Sequence, residues 1–185
     1  MATRTRKTKA ATAEVKVTAE NEEKVMTNPE PAEEVAQVPA MNFFEKVTNA
    51  PSGAKLPARA TVGSAGYDFF SPASITIRPN DVAVIRTGVK AHVYSGNFLM
   101  IVPRSSMGIK NHVILANSVG IIDSDYYNNP DNEGEICIAL YNYGNSTCYI
   151  TAGDKIAQGI FVPYLTVDND TTSAERVGGV GSTGK

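Results

Sequence analysis

Apolar residues in this chain fall in several short runs separated by glycine, proline and asparagine. Ser74-Ile75-Thr76-Ile77-Arg78 alternates and stops at Pro79-Asn80-Asp81. Successive side chains on a strand point to opposite faces, so Ile75 and Ile77 share one face and the polar residues share the other. Residues 82–85, 89–93, 98–102, 135–141, 148–151 and 156–165 continue the series. Thr87-Gly88 separates the second run from the third, Pro103 closes the fourth, and Asn142-Tyr143-Gly144-Asn145 reads as a turn. No 3.6-residue pattern is sustained anywhere, and residues 105–111 are the one stretch with room for a short helix. Many short strands between turn residues predict an all-β sandwich or barrel.

The alternation does not begin at the start of the chain. Residues 1–40 are mainly Ala, Lys, Glu, Thr and Pro, and no aromatic residue precedes Phe43. Such a segment buries too little apolar surface to offset its ordering entropy, so a disordered tail is expected there. Arg4, Arg6, Lys7 and Lys9 stand without an acid among the first residues. A transit helix needs an apolar face, and this stretch offers only Met1 and alanines, so a solvated tail that a protein partner could use fits better. Met41-Asn42-Phe43-Phe44 marks the entry to folded sequence, a β domain over 41–165, and residues 166–185 form a polar, glycine-rich arm. Of the 185 residues, Lys and Arg number 17 against 19 Asp and Glu, a net charge of -2, which gives no cause to expect nucleic acid as a partner. No apolar run nears the length of a membrane span. Cys137 and Cys148 lie in strand-like runs and read as reduced core residues. A soluble protein of the cytoplasm, or of a host's cytoplasm were the source viral, is the expectation.

Five segments are unusual for a plain β domain. Ser64-Ala65-Gly66-Tyr67-Asp68 carries an acid that by itself could be a turn aspartate. Pro103-Arg104-Ser105-Ser106-Met107-Gly108 lies where a strand passes into the short helix. Unpaired backbone N–H groups there suit an anion, and Arg104 adds a charged fork suited to phosphate, although Ser105 could simply cap the helix. Asn117-Ser118-Val119-Gly120-Ile121-Ile122-Asp123-Ser124-Asp125-Tyr126 holds two acids two residues apart. If the segment is extended, both carboxylates face one side, and one could act as a base; a polar hairpin is the alternative. Asn117 has both a donor and an acceptor for a pyrimidine edge. Ala152-Gly153-Asp154-Lys155-Ile156-Ala157-Gln158 reads as a hairpin turn leading into a strand where Gln158 is the polar exception. Finally, Arg176 to Gly184 could wrap phosphates with backbone amides or be a flexible tail; it lacks the lysine and helix of a P-loop.

In this order, SAGYDF, PRSSMG, NSVGIIDSDY, GDKIAQ and R-V-GGVGSTG resemble the five motifs of the trimeric dUTPase family, and Lys55-Leu56-Pro57-Ala58-Arg59-Ala60-Thr61 resembles the approach to the first. The resemblance covers residues 41–185. It implies a jelly-roll-like β domain, a homotrimer with active sites between subunits, and hydrolysis of dUTP to dUMP and pyrophosphate with Mg2+. Carried over, Asp123 is the general base that activates water for attack on the α-phosphorus, with Arg104 and Gln158 assisting at the phosphates. Ser105, Ser106, Gly108, Ser182 and Thr183 match phosphate-binding positions. Asn117, Gly120 and Ile122 match the uracil pocket, and Tyr126 the platform that excludes a 2′-hydroxyl. Arg176, Val180 and Gly181 belong to the closing arm. Asp68 acts on magnesium through water, in keeping with that ion's retention of its hydration shell.

A dCTP deaminase shares the expected fold and trimer, but it needs a glutamate base near the pyrimidine where this chain has Ile122-Asp123-Ser124-Asp125-Tyr126. A non-catalytic regulatory protein on the same fold is the other class, and binding of dUTP without turnover would mark it. Three departures from the family pattern stand out. The stretch 127–133 is longer than the usual turn and should alter the trimer's rim rather than the chemistry. Arg176 lies one residue nearer the glycines than expected. Val180 takes the place of an aromatic that stacks on uracil, a contact worth about 1–3 kcal/mol per base in other settings. Substitution Val180→Phe is therefore expected to lower KM for dUTP with kcat little changed; steady-state kinetics check this, and a higher or equal KM would refute it.

Overall fold

Paired strands dominate residues 41–179, the part of the chain that this computed structural model describes. The tail over 1–40 and the expectations placed on Val180, Gly181, Ser182 and Thr183 lie outside the described residues. The strands are β1 (Phe43–Lys46), β2 (Ala58–Arg59), β3 (Tyr67–Phe70), β4 (Ile75–Ile77), β5 (Val82–Arg86), β6 (Val89–His92), β7 (Asn97–Val102), β8 (Val113–Leu115), β9 (Gly120–Ile122), β10 (Cys137–Asn142), β11 (Cys148–Ile150) and β12 (Lys155–Pro163). One helix, α1 (Ser105–Ile109), follows β7, and a single 3-10 turn, Ser124–Tyr126, follows β9. The all-β class expected from the strand pattern holds, as does the jelly-roll-like domain that the resemblance implies.

Four antiparallel sheets share one core. Their orders are β1-β6, β5-β10-β8, β11-β4 and β2-β3-β12-β7-β9. Every sheet sends alternate residues inward: Val89, Ile85, Ile138, Leu140, Ile77, Ile150, Leu99 and Ile101 are all buried. Each such aliphatic side chain contributes roughly 1.5–3 kcal/mol by leaving water. Phe44 of β1 packs on Phe69 and Phe161, with ring centroids 5.8 and 5.5 Å apart, which ties the first strand to the large sheet. β12 runs through the middle of that sheet, between β3 and β7. Gly159 makes this possible, because a Cβ there would lie 2.8 Å from Phe69 and 3.0 Å from Leu99.

Several expectations are corrected. The Gly153-Asp154 turn exists, with Gly153 at φ 90°. It is not a hairpin, because β11 pairs with β4 while β12 pairs with β3 and β7, so the chain changes sheet at this corner. The run expected from Glu135 starts as a strand only at Cys137. The Glu135 carboxylate turns inward to accept the Gly88 N–H at 2.9 Å and to pair with Arg86 at 2.8 Å. Cys137 is not in the core: it faces outward from β10, while Cys148 is buried, and both are free thiols.

Asn142 is fully buried at the end of β10. Its amide donates to the carbonyls of Ile77 and Ser146, both at 2.9 Å, and its oxygen accepts the Gly144 N–H at 2.9 Å. One side chain thus joins β4, β10 and the turn into β11. Substitution Asn142→Ala leaves buried polar groups unpaired and is expected to lower unfolding stability by about 2–3 kcal/mol, as read by urea denaturation.

Candidate active site

The described residues of the five motif regions gather into two separate clusters. The first is built around Asp68 on β3. Strand pairing sets Gln158 directly beside it on β12, and Val102 on β7 lies on the other side of Gln158. Asp68 is buried, and its two carboxylate oxygens pair with Arg104 Nε at 2.9 Å and Lys155 Nζ at 2.8 Å. A carboxylate this poorly solvated needs such partners. Gln158 Nε2 donates to the Pro103 carbonyl at 3.3 Å and so ties β12 to the start of the helix. Gly66 leaves the room this needs, since a Cβ there would meet Gln158 Oε1 at 2.5 Å.

Arg104 itself occupies the N-cap position of α1, with extended backbone and no side-chain cap. The reading of Ser105 as a cap is therefore overturned: Ser105 is the first helical residue and is exposed, with Ser106 following. Gly108 lies one turn on, its carbonyl accepting the Tyr143 hydroxyl at 2.6 Å and open space where a Cβ would be. Arg104 and Lys155 outnumber Asp68 within the triad, and Asp154 and Ser106 line the same groove. Lys155 is the member that motif reading had not singled out, although it stands within GDKIAQ.

The second cluster forms a cleft of about 280 Å³ between β8, β9 and β10. Asn117, Gly120, Ile122, Asp123 and Tyr126 all line it, together with Arg176. Gly120 faces Ile101 across the sheet, and a Cβ on it would approach Ile101 to 3.1 Å. The acidic pair is not on an extended strand as anticipated. Asp123 is extended, but Ser124–Tyr126 turns as a 3-10 helix. A single guanidinium nonetheless spans both acids: Arg176 Nη2 donates to Asp123 Oδ2 and Nε to Asp125 Oδ1, each at 2.8 Å. The guanidinium also lies over the Tyr126 ring, 5.6 Å from its centroid. The Arg176 side chain is 10% exposed while the two carboxylates remain about half exposed. The hydrogen bond to Asp125, with the charges of both acids, pushes the Arg176 pKa up despite partial burial.

Two residues outside the quoted motifs bear on this cleft. Asn132 Nδ2 donates to the Tyr126 hydroxyl at 2.9 Å, and Tyr126 OH in turn donates to the Glu135 carbonyl at 3.2 Å. The Gly179 N–H donates to Asp131 Oδ2 at 2.8 Å. The 127–133 stretch therefore reaches the cleft as well as the surface. Its asparagine-rich sequence announced a loop but carried no sign of where the loop would fold.

None of Asp68, Arg104, Lys155 and Gln158 lines the cleft that holds Asp123. The basic cluster opens instead on its own groove, lined by Arg104, Ser106 and Lys155.

Known proteins share this arrangement of sequence and fold. The dUTPase family model matches residues 52–184. A deoxyuridine 5'-triphosphate nucleotidohydrolase of Lactococcus lactis is 42% identical over 144 residues, which span 76% of this chain and 96% of that protein. One from Paraburkholderia phytofirmans is 36% identical over 153 residues, 78% of this chain and 99% of the relative. Among solved structures, the dUTPase of Streptococcus mutans is 40% identical and superposes with a TM-score of 0.64, covering 68% of this chain and 98% of that one. The dUTPase from phage phi11 of S. aureus, at 23% identity and a TM-score of 0.60, shares the fold over 72% of this chain and 97% of its own. With its family model matched across nearly the whole described domain, the chain belongs to the dUTPase family.

Proposed function

We propose that this protein hydrolyses dUTP to dUMP and pyrophosphate, and so limits uracil in DNA while supplying dUMP for dTTP synthesis. The observation that carries the reading is the cleft in which Asn117, Gly120, Ile122, Asp123 and Tyr126 meet, with a half-exposed carboxylate at its mouth. Asp123 takes a proton from a water that attacks the α-phosphorus in line, and it also holds the 3′-hydroxyl. Tyr126, buried and fixed through its hydroxyl, forms a wall under the deoxyribose that leaves no space for a 2′-hydroxyl. Asn117 reads the uracil edge. Leaving its amide unpaired against the wrong base discriminates more strongly than lost contact area would.

Arg104, Ser105, Ser106 and Gln158 supply donors to the triphosphate, whose charge the basic cluster complements. Arg176, Val180, Gly181, Ser182 and Thr183 close over the nucleotide. A variant dUTPase of phage phi11 is described with a structural Mg(II) ion. In this chain the hard oxygen donors of Asp68 suit the waters of a magnesium ion carried by the triphosphate, and the ion would neutralise phosphate charge. Among the described residues no helix is long and apolar enough to cross a membrane.

The basic groove and the Asp123 cleft have no lining residue in common, which supports a reading in which one chain supplies two half-sites. A homotrimer joins the Asp123 half of one subunit to the Arg104 half of another. Its contact area is supplied by the outer face of β5 and β8, where Val82, Val84 and Ile114 are 54%, 66% and 37% exposed.

Pyrophosphate release from dUTP tests the chemistry. Substitution Asp123→Asn is expected to lower kcat by about 10²–10⁴-fold with the fold intact; an undiminished kcat would refute the role.

The shared site has its own test. Arg104→Ala and Asp123→Asn chains, each inactive alone, are expected to regain activity when co-expressed. In randomly mixed trimers about one quarter of the sites combine two intact halves. No recovery would place both halves of the site in a single chain.

A further inference from the structure

We infer that the 127–133 loop is a clasp for the C-terminal arm, in which Asp131 is a positioning residue that sets Arg176 against the acids of the cleft. After β12 the arm leaves the sheet, and every residue from 163 to 175 is exposed. Tyr164 donates its N–H to the Gly96 carbonyl at 3.0 Å as the arm leaves, and the ties beyond it are local: the Asp170 N–H donates to the Val167 carbonyl at 3.1 Å, and its carboxylate accepts the Thr172 N–H at 2.9 Å. Beyond Tyr164 the arm returns to burial at Arg176, Gly178 and Gly179. Two anchors are thus visible, the Arg176 fork on Asp123 and Asp125 and the Gly179 N–H on Asp131. Gly179 also rests in van der Waals contact distance of Asp131 and Asn132, at 3.6 and 3.7 Å from where its Cβ would be.

The loop is built to hold still. Glu133 accepts the Thr48 N–H at 3.1 Å and its hydroxyl at 3.0 Å, which holds the Glu133 carboxyl below the ordinary carboxylate range. Lys90 is buried, donates to Asn128 and lies 5.0 Å from the Tyr127 ring centroid. Asn129 Oδ1 accepts the Asp131 and Asn132 N–H groups at 3.1 and 3.2 Å, which aims the Asp131 carboxylate at the arm. A preorganised acceptor holds its partner with little further loss of entropy. Once Gly179 is held, Arg176 lies only three residues away, so its pairing with the acids becomes a local event at high effective concentration.

The inference rests on the proposed function only for the consequence to substrate. The arm's docking can be measured without it. Asp131 is exposed and makes no core contact, so Asp131→Ala should leave the melting temperature unchanged. Trypsin acts at Arg176 only when that side chain leaves its acids. In the full, substrate-free chain, release of the peptide 177–185, followed by mass spectrometry, is expected to be about tenfold faster in Asp131→Ala, the loss of one hydrogen bond to a charged acceptor. Asp131→Asn, which keeps an acceptor oxygen, should restore most of the protection. Binding of the non-hydrolysable α,β-imido analogue of dUTP should weaken by a similar factor in Asp131→Ala. Equal cleavage rates in wild type and Asp131→Ala overturn the clasp, whatever the nucleotide result. Faster cleavage with unchanged analogue binding retains the clasp and separates it from substrate closure. A wild type that neither binds the analogue nor releases pyrophosphate refutes the proposed function, while the cleavage rates still decide the clasp.

Discussion

The Asp68 carboxylate, buried between Arg104 and Lys155, ties the large sheet to the helix that follows β7. A buried acid is tolerable only when paired, and here both partners come from segments far apart in the chain. Arg104 stands at the start of α1 and Lys155 at the start of β12. The ion triad therefore brings three motif regions to one spot. Gln158, held beside Asp68 by strand register and anchored to the Pro103 carbonyl, completes the same join. Neither the basic groove nor its hydroxyls would keep this arrangement without the carboxylate beneath them.

The second half of the chemistry depends on a charge of the opposite sense. Asp123 and Asp125 would repel each other, and the guanidinium of Arg176 resolves this by bridging both. That makes the arm, through Arg176, part of the structure around the cleft. The cleft gathers Asp123 and Asp125 about Arg176, while the groove presents Arg104 and Lys155 with Asp154 beside them. On the proposed reading a polyanionic nucleotide uses both, the first for its sugar, base and attacking water and the second for its phosphates, and assembly brings the two together.

Much of the architecture was legible in the residues. The runs at 82–85, 89–93 and 98–102 became β5, β6 and β7 nearly as read, because short apolar runs bounded by turn residues mark strands that enter the core. The turn residues at Thr87-Gly88, Asn142–Asn145 and Gly153 also fell where expected, since Gly88 and Gly153 take positive φ values. Less visible were β8 and β9, three residues each, which are too short to show a period and owe their conformation to β10 and β7. The inward turn of Glu135 and the outward placement of Cys137 were hidden for a related reason: alternation identifies two faces without saying which one meets the core.

The sequence by itself determined the longer strands, most turn sites and, through motif order, the family, because these depend on neighbouring residues and on side-chain chemistry. Tertiary structure alone decided which strand pairs with which. Corners such as Gly153 could have closed a hairpin, yet they send the chain to another sheet. It also decided that Asp123 meets Arg176 from 53 residues away and that Gly179 meets Asp131 from 48. Such contacts arise from packing the whole core at once, and no local pattern encodes the distance between residues that only a completed fold brings together.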